Sequence, residues 1–89
     1  MRLDKFLQAS GIVRRRTRAQ ELCERGYVML DGRPAKAGKS VRPGQRIRVQ
    51  LGSRILTFEV RALPERPVSR DRREDIAQLL ESRTVDGDL

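Results

Sequence analysis

The sequence predicts an α+β fold, in which two short amino-terminal helices pack on a small twisted antiparallel sheet and a further helix follows near the carboxyl end. Three observations predict it. Apolar residues between positions 3 and 23 recur at intervals of three and four, the period of a helix surface. Between positions 27 and 60 they form short β-prone runs separated by turn-forming residues. After position 70 the helical interval returns, and a chain of 89 residues has room for one modest core.

The first two helices are indicated by apolar side chains at i, i+3 and i+4. These positions are Leu3, Phe6 and Leu7 in the first helix and Ala19, Leu22 and Cys23 in the second. Gly11 can end the first helix as a left-handed cap, and Gly26 closes the second. Thr17 and Gln20 have the spacing of a capping box, so the second helix is expected to begin at Thr17 or one turn earlier, near Arg14.

A first hairpin is predicted directly after the helices. The segment "YVML", residues 27–30, is a short apolar run, and the Asp31-Gly32 pair behind it is a strong hairpin turn signal. Pro34 cannot donate a ladder hydrogen bond, so it confines the returning strand to an edge or a bulge. A basic loop, residues 35–45, is expected to follow.

The second hairpin is the clearest one in the chain. It is the segment "RIRVQLGSRILTFEV", residues 46–60, with a two-residue Gly52-Ser53 loop. This loop predicts that one face pairs Val49 with Leu56 and Ile47 with Phe58. The same register places Arg46 opposite Glu59 on the other face, and we expect a cross-strand ion pair there.

The last part of the chain is predicted to hold a linker and one more helix. The segment "PERPVSR", residues 64–70, carries two prolines and is assigned as the linker. Asp71 and Glu74 can cap a helix with one apolar side, formed by Ile76, Leu79 and Leu80. The final segment, "TVDGDL", is expected to be frayed.

The composition of the chain favours some classes of function and excludes others. The formal net charge is +8, and the first 50 residues hold thirteen Lys and Arg side chains against four Asp and Glu, which indicates a polyanionic partner. One cysteine and no histidine exclude an internal disulfide, a cysteine zinc site and histidine-based nucleophile pairs. We therefore predict no catalytic residues, no metal site, no cofactor and no enzymatic activity. The first residues contain no long apolar run, so we expect a cytoplasmic protein with no membrane partner.

Four arginines stand at the start of the second helix, where the helix dipole disfavours positive charge. They are Arg14, Arg15, Arg16 and Arg18, which we call the arginine cluster. A bound phosphate resolves the conflict, because the helix N–H groups attract anions and guanidinium groups bind phosphate oxygens bidentately. A purely solvated face is the alternative.

Further basic residues extend this candidate RNA-binding site. Arg2 and Lys5 lie one turn apart on the first helix, and Arg2 is expected to approach the arginine cluster if the two helices pack through their apolar sides. In that first turn, Asp4 suits the helix dipole. Secondary RNA contacts are assigned to a loop, at Lys36, Lys39 and Arg42, where simple solubility is an equal alternative.

Two other residues are given structural assignments. Cys23 is expected to be a small buried hydrophobe and not a reactive thiol. Tyr27 is expected to be a strand residue with its hydroxyl at the rim, although it could stack on a base. Because the basic residues crowd one helix end, backbone and shape recognition of structured RNA is favoured over a helix in the DNA major groove.

The pattern "RLDKFL", "RTRAQELCERGYVMLDG" and "VRPGQRIRV", in this order, resembles the RNA-binding domain first described in ribosomal protein S4. The resemblance covers about residues 1–62 and implies the S4-like αL motif, so residues 1–62 are assigned to this domain and residues 63–89 to the linker, helix and frayed tail. Among stand-alone versions, "MRLDKFL" and the "RRRT" block resemble the RqcP family of ribosome-associated quality control, which is related to the fifteen-kilodalton heat-shock proteins.

The resemblance to the RqcP family implies a set of partners. They are rRNA of the large ribosomal subunit, the peptidyl-tRNA that obstructs it, and an RqcH-like factor that adds carboxyl-terminal alanine tails to stalled chains. It also implies that Arg2, Arg15 and Arg16 contact RNA. Two alternatives are a heat-shock-type protein that rescues stalled large subunits without tailing, and an adaptor that binds an acidic protein independently of RNA. No broad apolar face argues for a dimer, so a monomer is expected.

Overall fold

The computed structural model describes residues 1–85, and the frayed end predicted after residue 83 lies mostly outside them. The helices are α1 (Leu3–Ala9), α2 (Arg16–Glu24) and α3 (Arg73–Ile76), the last preceded by a 3-10 turn (Arg70–Arg72). The strands are β1 (Val28–Leu30), β2 (Arg33–Pro34), β3 (Arg46–Leu51), β4 (Arg54–Val60) and β5 (Ala77–Thr84). The predicted α+β class is confirmed. Among residues 1–85, no helix is long and apolar enough to cross a membrane.

All strands form one antiparallel sheet in the order β2-β1-β3-β4-β5. The predicted register of the second hairpin is confirmed, with Val49 opposite Leu56 and Ile47 opposite Phe58. Gly52 in its loop has φ +62°, a conformation that glycine adopts without steric cost.

The predicted ion pair between Arg46 and Glu59 does not form, although the two residues stand opposite each other. The Glu59 carboxylate instead pairs with Arg61, whose Nε lies 3.3 Å from its Oε1. Glu59 and Arg61 are two positions apart along one extended chain, so their side chains leave it on the same side. This competing pair leaves the Arg46 guanidinium without a carboxylate partner among the described residues, while the Arg46 backbone N–H donates to Asp31 Oδ1 at 2.9 Å.

The hydrophobic core lies between the first two helices and one face of the sheet. The helices contribute the six apolar residues predicted from their spacing, and each is at least 94% buried: Leu3, Phe6, Leu7, Ala19, Leu22 and Cys23. Facing them are sheet residues at alternate positions: Val28, Leu30, Ile47, Val49 and Val60. This packing holds α1 and α2 side by side and turns their other sides, with the basic residues, to solvent.

The carboxyl-terminal part differs from the predicted long helix. Only the four residues of α3 are helical, and the predicted apolar residues Leu79 and Leu80 lie instead on β5, exposed by 48% and 42%. β5 extends the sheet by pairing with β4, and an irregularity between Thr57 and Phe58 adjusts the register. Pairing with an open sheet edge therefore outweighs the local helical interval.

The predicted linker packs on the body of the protein. The Val68 N–H donates to the carbonyl of Ala9 at 3.1 Å, at the end of α1, and Pro64 is buried. Nearby, Gly11 has φ +83° and lies directly beneath the Arg73 side chain, where a Cβ would stand 2.3 Å from Nε. The segment thus fixes the end of α1 to the start of α3.

Candidate nucleic-acid interface

The centre of the basic surface is a buried carboxylate. Asp4, in the first turn of α1, has no exposed surface. It accepts hydrogen bonds from Arg2 Nε at 3.1 Å and Arg2 Nη2 at 3.2 Å, from Arg16 Nε at 3.3 Å and from Gln20 Nε2 at 2.9 Å. The Lys5 backbone N–H adds a fifth bond at 2.8 Å. We call this arrangement the Asp4 network.

The network sets the charge states of its members. Burial alone would raise the pKa of Asp4, but the hydrogen bonds from Arg2, Gln20, Arg16 and the Lys5 N–H outweigh it and hold this pKa well below its ordinary value. The hydrogen bonding of Arg2 to Asp4, together with the negative charge of Asp4, raises the pKa of Arg2. The carboxylate is therefore ionised and holds two cations close together.

The network confirms that Arg2 comes next to the arginine cluster, as helix packing predicted. Arg2 at the start of α1 and Arg16 at the start of α2 share one carboxylate, while their side chains stay 53% and 44% exposed. Asp4 holds each guanidinium by its Nε edge. For Arg16 both terminal nitrogens are then left for an external acceptor, because no other hydrogen bond within residues 1–85 uses them.

The other arginines of the cluster surround the start of α2. Arg14, Arg15 and Arg18 are exposed, and within residues 1–85 only Arg18 of these three forms an ion pair, with its Nη1 3.9 Å from Glu21 Oε2. The helix begins at Arg16, within the predicted range, with Arg15 as N-cap. No side chain caps it and no acidic residue lies in its first turn, so its N–H groups face the cluster uncompensated.

The predicted capping box is wrong. Gln20 donates to Asp4 on the neighbouring helix instead of bonding back to the start of α2. An amide side chain that reaches a buried carboxylate makes a stronger, charge-assisted hydrogen bond than one with a backbone N–H in water.

The basic loop after β2 runs along the first residues of the chain. The Leu3 N–H donates to the carbonyl of Lys39 at 2.8 Å, and the Asp4 N–H donates to that of Ala37 at 3.1 Å. Gly38 lies beside the Arg2 guanidinium, since a Cβ there would stand 3.8 Å from Arg2 Cζ. The fold therefore brings Lys39 next to Arg2, although the two are far apart in sequence.

The remaining predicted residues lie at the margins. Lys5 contributes its backbone N–H to the Asp4 network, and its side chain is exposed on α1. Lys36 and Lys39 line an open groove of about 890 Å³ that Gly38 also borders. Arg42 is exposed in the following turn, where its N–H donates to Gln45 Oε1 at 2.7 Å, and none of its hydrogen bonds ties it to the arginine cluster.

Sequence reasoning missed the role of Asp4. We expected it only to suit the helix dipole, whereas it pairs with both Arg2 and Arg16 at the centre of the candidate site. The neighbouring apolar residues Leu3, Phe6 and Leu7 carried the missing information, because an acidic residue inside such a helical pattern is partly buried and needs cationic or hydrogen-bonding partners.

Comparisons with known proteins show the family to which the chain belongs. Residues 1–47 match the S4 domain family. The RQC P-site tRNA stabilizing factor of Halalkalibacterium halodurans is 42% identical over 65 residues, covering 73% of this chain and 74% of the relative. That of Listeria innocua is 36% identical over 84 residues, covering 94% and 91%. The structure of Vibrio cholerae Heat Shock Protein 15 matches with a TM-score of 0.84 at 26% identity, covering 90% of this chain and 81% of that one. The chain therefore belongs to the S4 domain family, among relatives named RQC P-site tRNA stabilizing factor.

Proposed function

We propose that the protein is a non-enzymatic RNA-binding factor of ribosome-associated quality control. It binds the large ribosomal subunit obstructed by peptidyl-tRNA, contacts both rRNA and tRNA, and supports alanine tailing of the stalled chain by an RqcH-like factor. The observation that carries the proposal is the Asp4 network, which holds Arg2 and Arg16 side by side on an exposed surface at the start of α2.

The Asp4 network supports phosphate binding by preorganisation. A free arginine side chain loses rotamer entropy when it binds, whereas Arg2 and Arg16 are already held by their Nε atoms before RNA arrives. Guanidinium groups bind phosphate bidentately, and the uncapped N–H groups at the start of α2 are further hydrogen-bond donors that favour an anion.

The partners are supported by the relatives. Their name states that they stabilise P-site tRNA, and the S4 domain is an RNA-binding domain. A protein that binds the backbones of rRNA and tRNA together biases the position of the tRNA without catalysing a reaction. The exposed arginines around Asp4 suit this role, because the Asp4 carboxylate is fully occupied by hydrogen bonds. The action takes place on cytoplasmic ribosomes, and a monomer suffices for it.

A second candidate function is favoured by the structural similarity to Heat Shock Protein 15. A heat-shock-type factor would rescue obstructed large subunits without alanine tailing. Deletion of the gene separates the two functions, because alanine tails on stalled chains disappear under the first proposal and persist under the second.

The main test is a gentle purification of the tagged protein from cells, with identification of the RNA and protein that accompany it. The wild-type protein should bring down large subunits with tRNA and the tailing factor, and Arg15→Ala/Arg16→Ala should lose them. The control variant Arg66→Ala/Arg70→Ala removes the same charge from exposed positions outside the site and should retain them. A protein partner that survives nuclease treatment and ignores the arginines would support the adaptor instead.

A further inference from the structure

The side of the sheet turned away from the helices forms a second exposed surface. The core residues Val28, Ile47 and Val49 point towards α1 and α2, so the alternate residues point the other way. The register aligns four of these across four strands: Met29, Arg48, Thr57 and Glu81. We call this surface the outer sheet face.

Two shallow depressions adjoin on the outer sheet face. The larger, of about 350 Å³, is lined by Met29, Gly32, Arg46, Arg48, Thr57 and Glu81. The smaller, of about 190 Å³, is lined by Gly26, Tyr27, Met29, Arg48, Gln50 and Ile55. Because Met29 and Arg48 border both, the depressions form one continuous path across four strands, β1, β3, β4 and β5, and lead to Tyr27.

The charges on the outer sheet face leave two arginines free for an anion. Its carboxylates are already paired, Glu59 with Arg61 at 3.3 Å and Glu81 with Arg83 at 3.5 Å. Among residues 1–85, neither Arg46 nor Arg48 forms an ion pair, and both are exposed. They point to the same side two positions apart on β3, so their Cα atoms are separated by about 6.8 Å.

The path also offers an aromatic ring and an unused polar atom. Tyr27 is 42% exposed, and its carbonyl is fixed by the Gln50 N–H at 2.9 Å. Thr57, on β4, lines the larger depression. Its Oγ1 is buried and has no hydrogen-bond partner in the described part of the chain. A cationic path with an aromatic end and polar hydrogen-bonding groups is the composition of a single-strand nucleic-acid surface.

We propose that the outer sheet face binds single-stranded RNA, with a base stacked on Tyr27 and the neighbouring phosphates on Arg46 and Arg48. A duplex offers phosphates but hides the faces of its bases inside the stack, so it cannot use the ring. This surface is separated from the Asp4 network by the sheet and the core, so both can hold RNA at once. The protein would then bridge a structured RNA on its helices and an unpaired segment on its sheet.

The sequence supplies a built-in reporter for this proposal. Tyr27 is the only tyrosine and the chain has no tryptophan, so its fluorescence reports on this one position. A short oligouridylate or oligoadenylate is titrated into the full-length protein, and affinity is measured in parallel by anisotropy of the labelled oligonucleotide. The variants are Arg46→Gln/Arg48→Gln on the sheet, Arg15→Ala/Arg16→Ala on the helices, and the charge-matched control Arg66→Gln/Arg70→Gln.

The proposal expects saturable quenching of Tyr27 in the wild-type protein, in the helix variant and in the control. The sheet variant should need at least about tenfold more oligonucleotide for the same quenching, as expected when two charge-assisted hydrogen bonds are lost. Amide chemical-shift changes should map to β1 and β3. Absence of quenching, shift changes confined to α1 and α2, or quenching that is lost only in the helix variant would overturn it. The helix function is judged separately, by binding to obstructed large subunits.

Discussion

Asp4→Asn removes the negative charge from the centre of the Asp4 network and keeps the shape of the side chain. The carboxylate accepts five hydrogen bonds, and asparagine turns one of its two oxygens into a donor that faces other donors. We expect a lower free energy of unfolding and a site in which Arg2 and Arg16 are no longer held together.

The size of this decrease in the free energy of unfolding depends on how exposed each hydrogen-bond donor to Asp4 is. Arg2 and Arg16 are about half exposed, so water can replace much of the hydrogen bonding that they lose. Their bonds to Asp4 therefore contribute little to the free energy of unfolding. Gln20 and the Lys5 N–H are less exposed, but they donate to different oxygens of Asp4, Oδ2 and Oδ1. The amide therefore removes the acceptor of only one of them, a hydrogen bond to a charged group worth about 1.5–3 kcal/mol. A destabilisation of about 2–4 kcal/mol results, which lowers the Tm of a domain of this size by about 10–25 °C.

Urea and thermal unfolding followed by circular dichroism measure this change. Asp71→Asn is the matched control, because Asp71 is an exposed acidic residue in the 3-10 turn, and it should shift stability by less than about 0.5 kcal/mol. An Asp4→Asn variant as stable as this control would refute the network as a source of stability.

The same carboxylate predicts a pH dependence. The pKa of Asp4 is lowered in the folded state, so its stabilisation is fully present above the pKa of an unfolded aspartate, near 3.9, and is lost as the pH falls below it towards the folded value. The stability difference between wild type and Asp4→Asn should therefore be constant from about pH 5 to 7 and shrink below about pH 4. A difference that does not change with acid would contradict an ionised Asp4.

Three further predictions follow from other features. Gly11→Ala should lower the free energy of unfolding by about 1–2 kcal/mol, because φ +83° disfavours a Cβ and the Arg73 side chain must move. Gly38→Ala is the control, since its Cβ meets only ordinary contacts at 3.8 Å, and it should change stability little in the same urea titration. If five arginine and lysine side chains neutralise phosphates, a plot of log affinity for RNA against log salt should have a slope of about −3.5 to −4.5, and a slope near zero would contradict an electrostatic site. Burial, and then the charge of Asp4, raises the pKa of the Cys23 thiol to about 11, so iodoacetamide should modify it slowly at neutral pH until urea unfolds the chain; equally fast modification of the folded protein would contradict its burial.

Local patterns predicted much of the fold. The two helices follow from apolar residues three and four apart, and the Gly52-Ser53 loop fixes the register of β3 and β4 by its length alone. These features depend on residues close in sequence, which explains why the sequence was sufficient for them.

The parts that were missed depend on contacts distant in sequence. Leu79 and Leu80 have helical spacing, but the free edge of β4 offered a row of backbone partners that no local pattern reveals. Glu59 had two candidate arginines, and only the side-chain geometry shows that it chooses Arg61.

The candidate site was predicted in the same partial way. The arginine cluster stands out in the sequence because it opposes the helix dipole, and the approach of Arg2 followed from helix packing. The sequence did not show that Asp4 would join Arg2, Arg16 and Gln20, because this requires the relative rotation of α1 and α2 about their axes.

The central claim, that the paired arginines of the Asp4 network anchor RNA on the obstructed large subunit, is tested most directly by an affinity measurement. Purified large subunits carrying peptidyl-tRNA are titrated with wild-type protein, with Arg2→Ala/Arg16→Ala and with the control Arg66→Ala/Arg70→Ala, each verified as folded by circular dichroism. Each lost hydrogen bond between charged groups is worth about 1.5–3 kcal/mol, so the Arg2/Arg16 variant should bind at least about a hundredfold more weakly than the control. Equal affinity of the two variants would contradict the account.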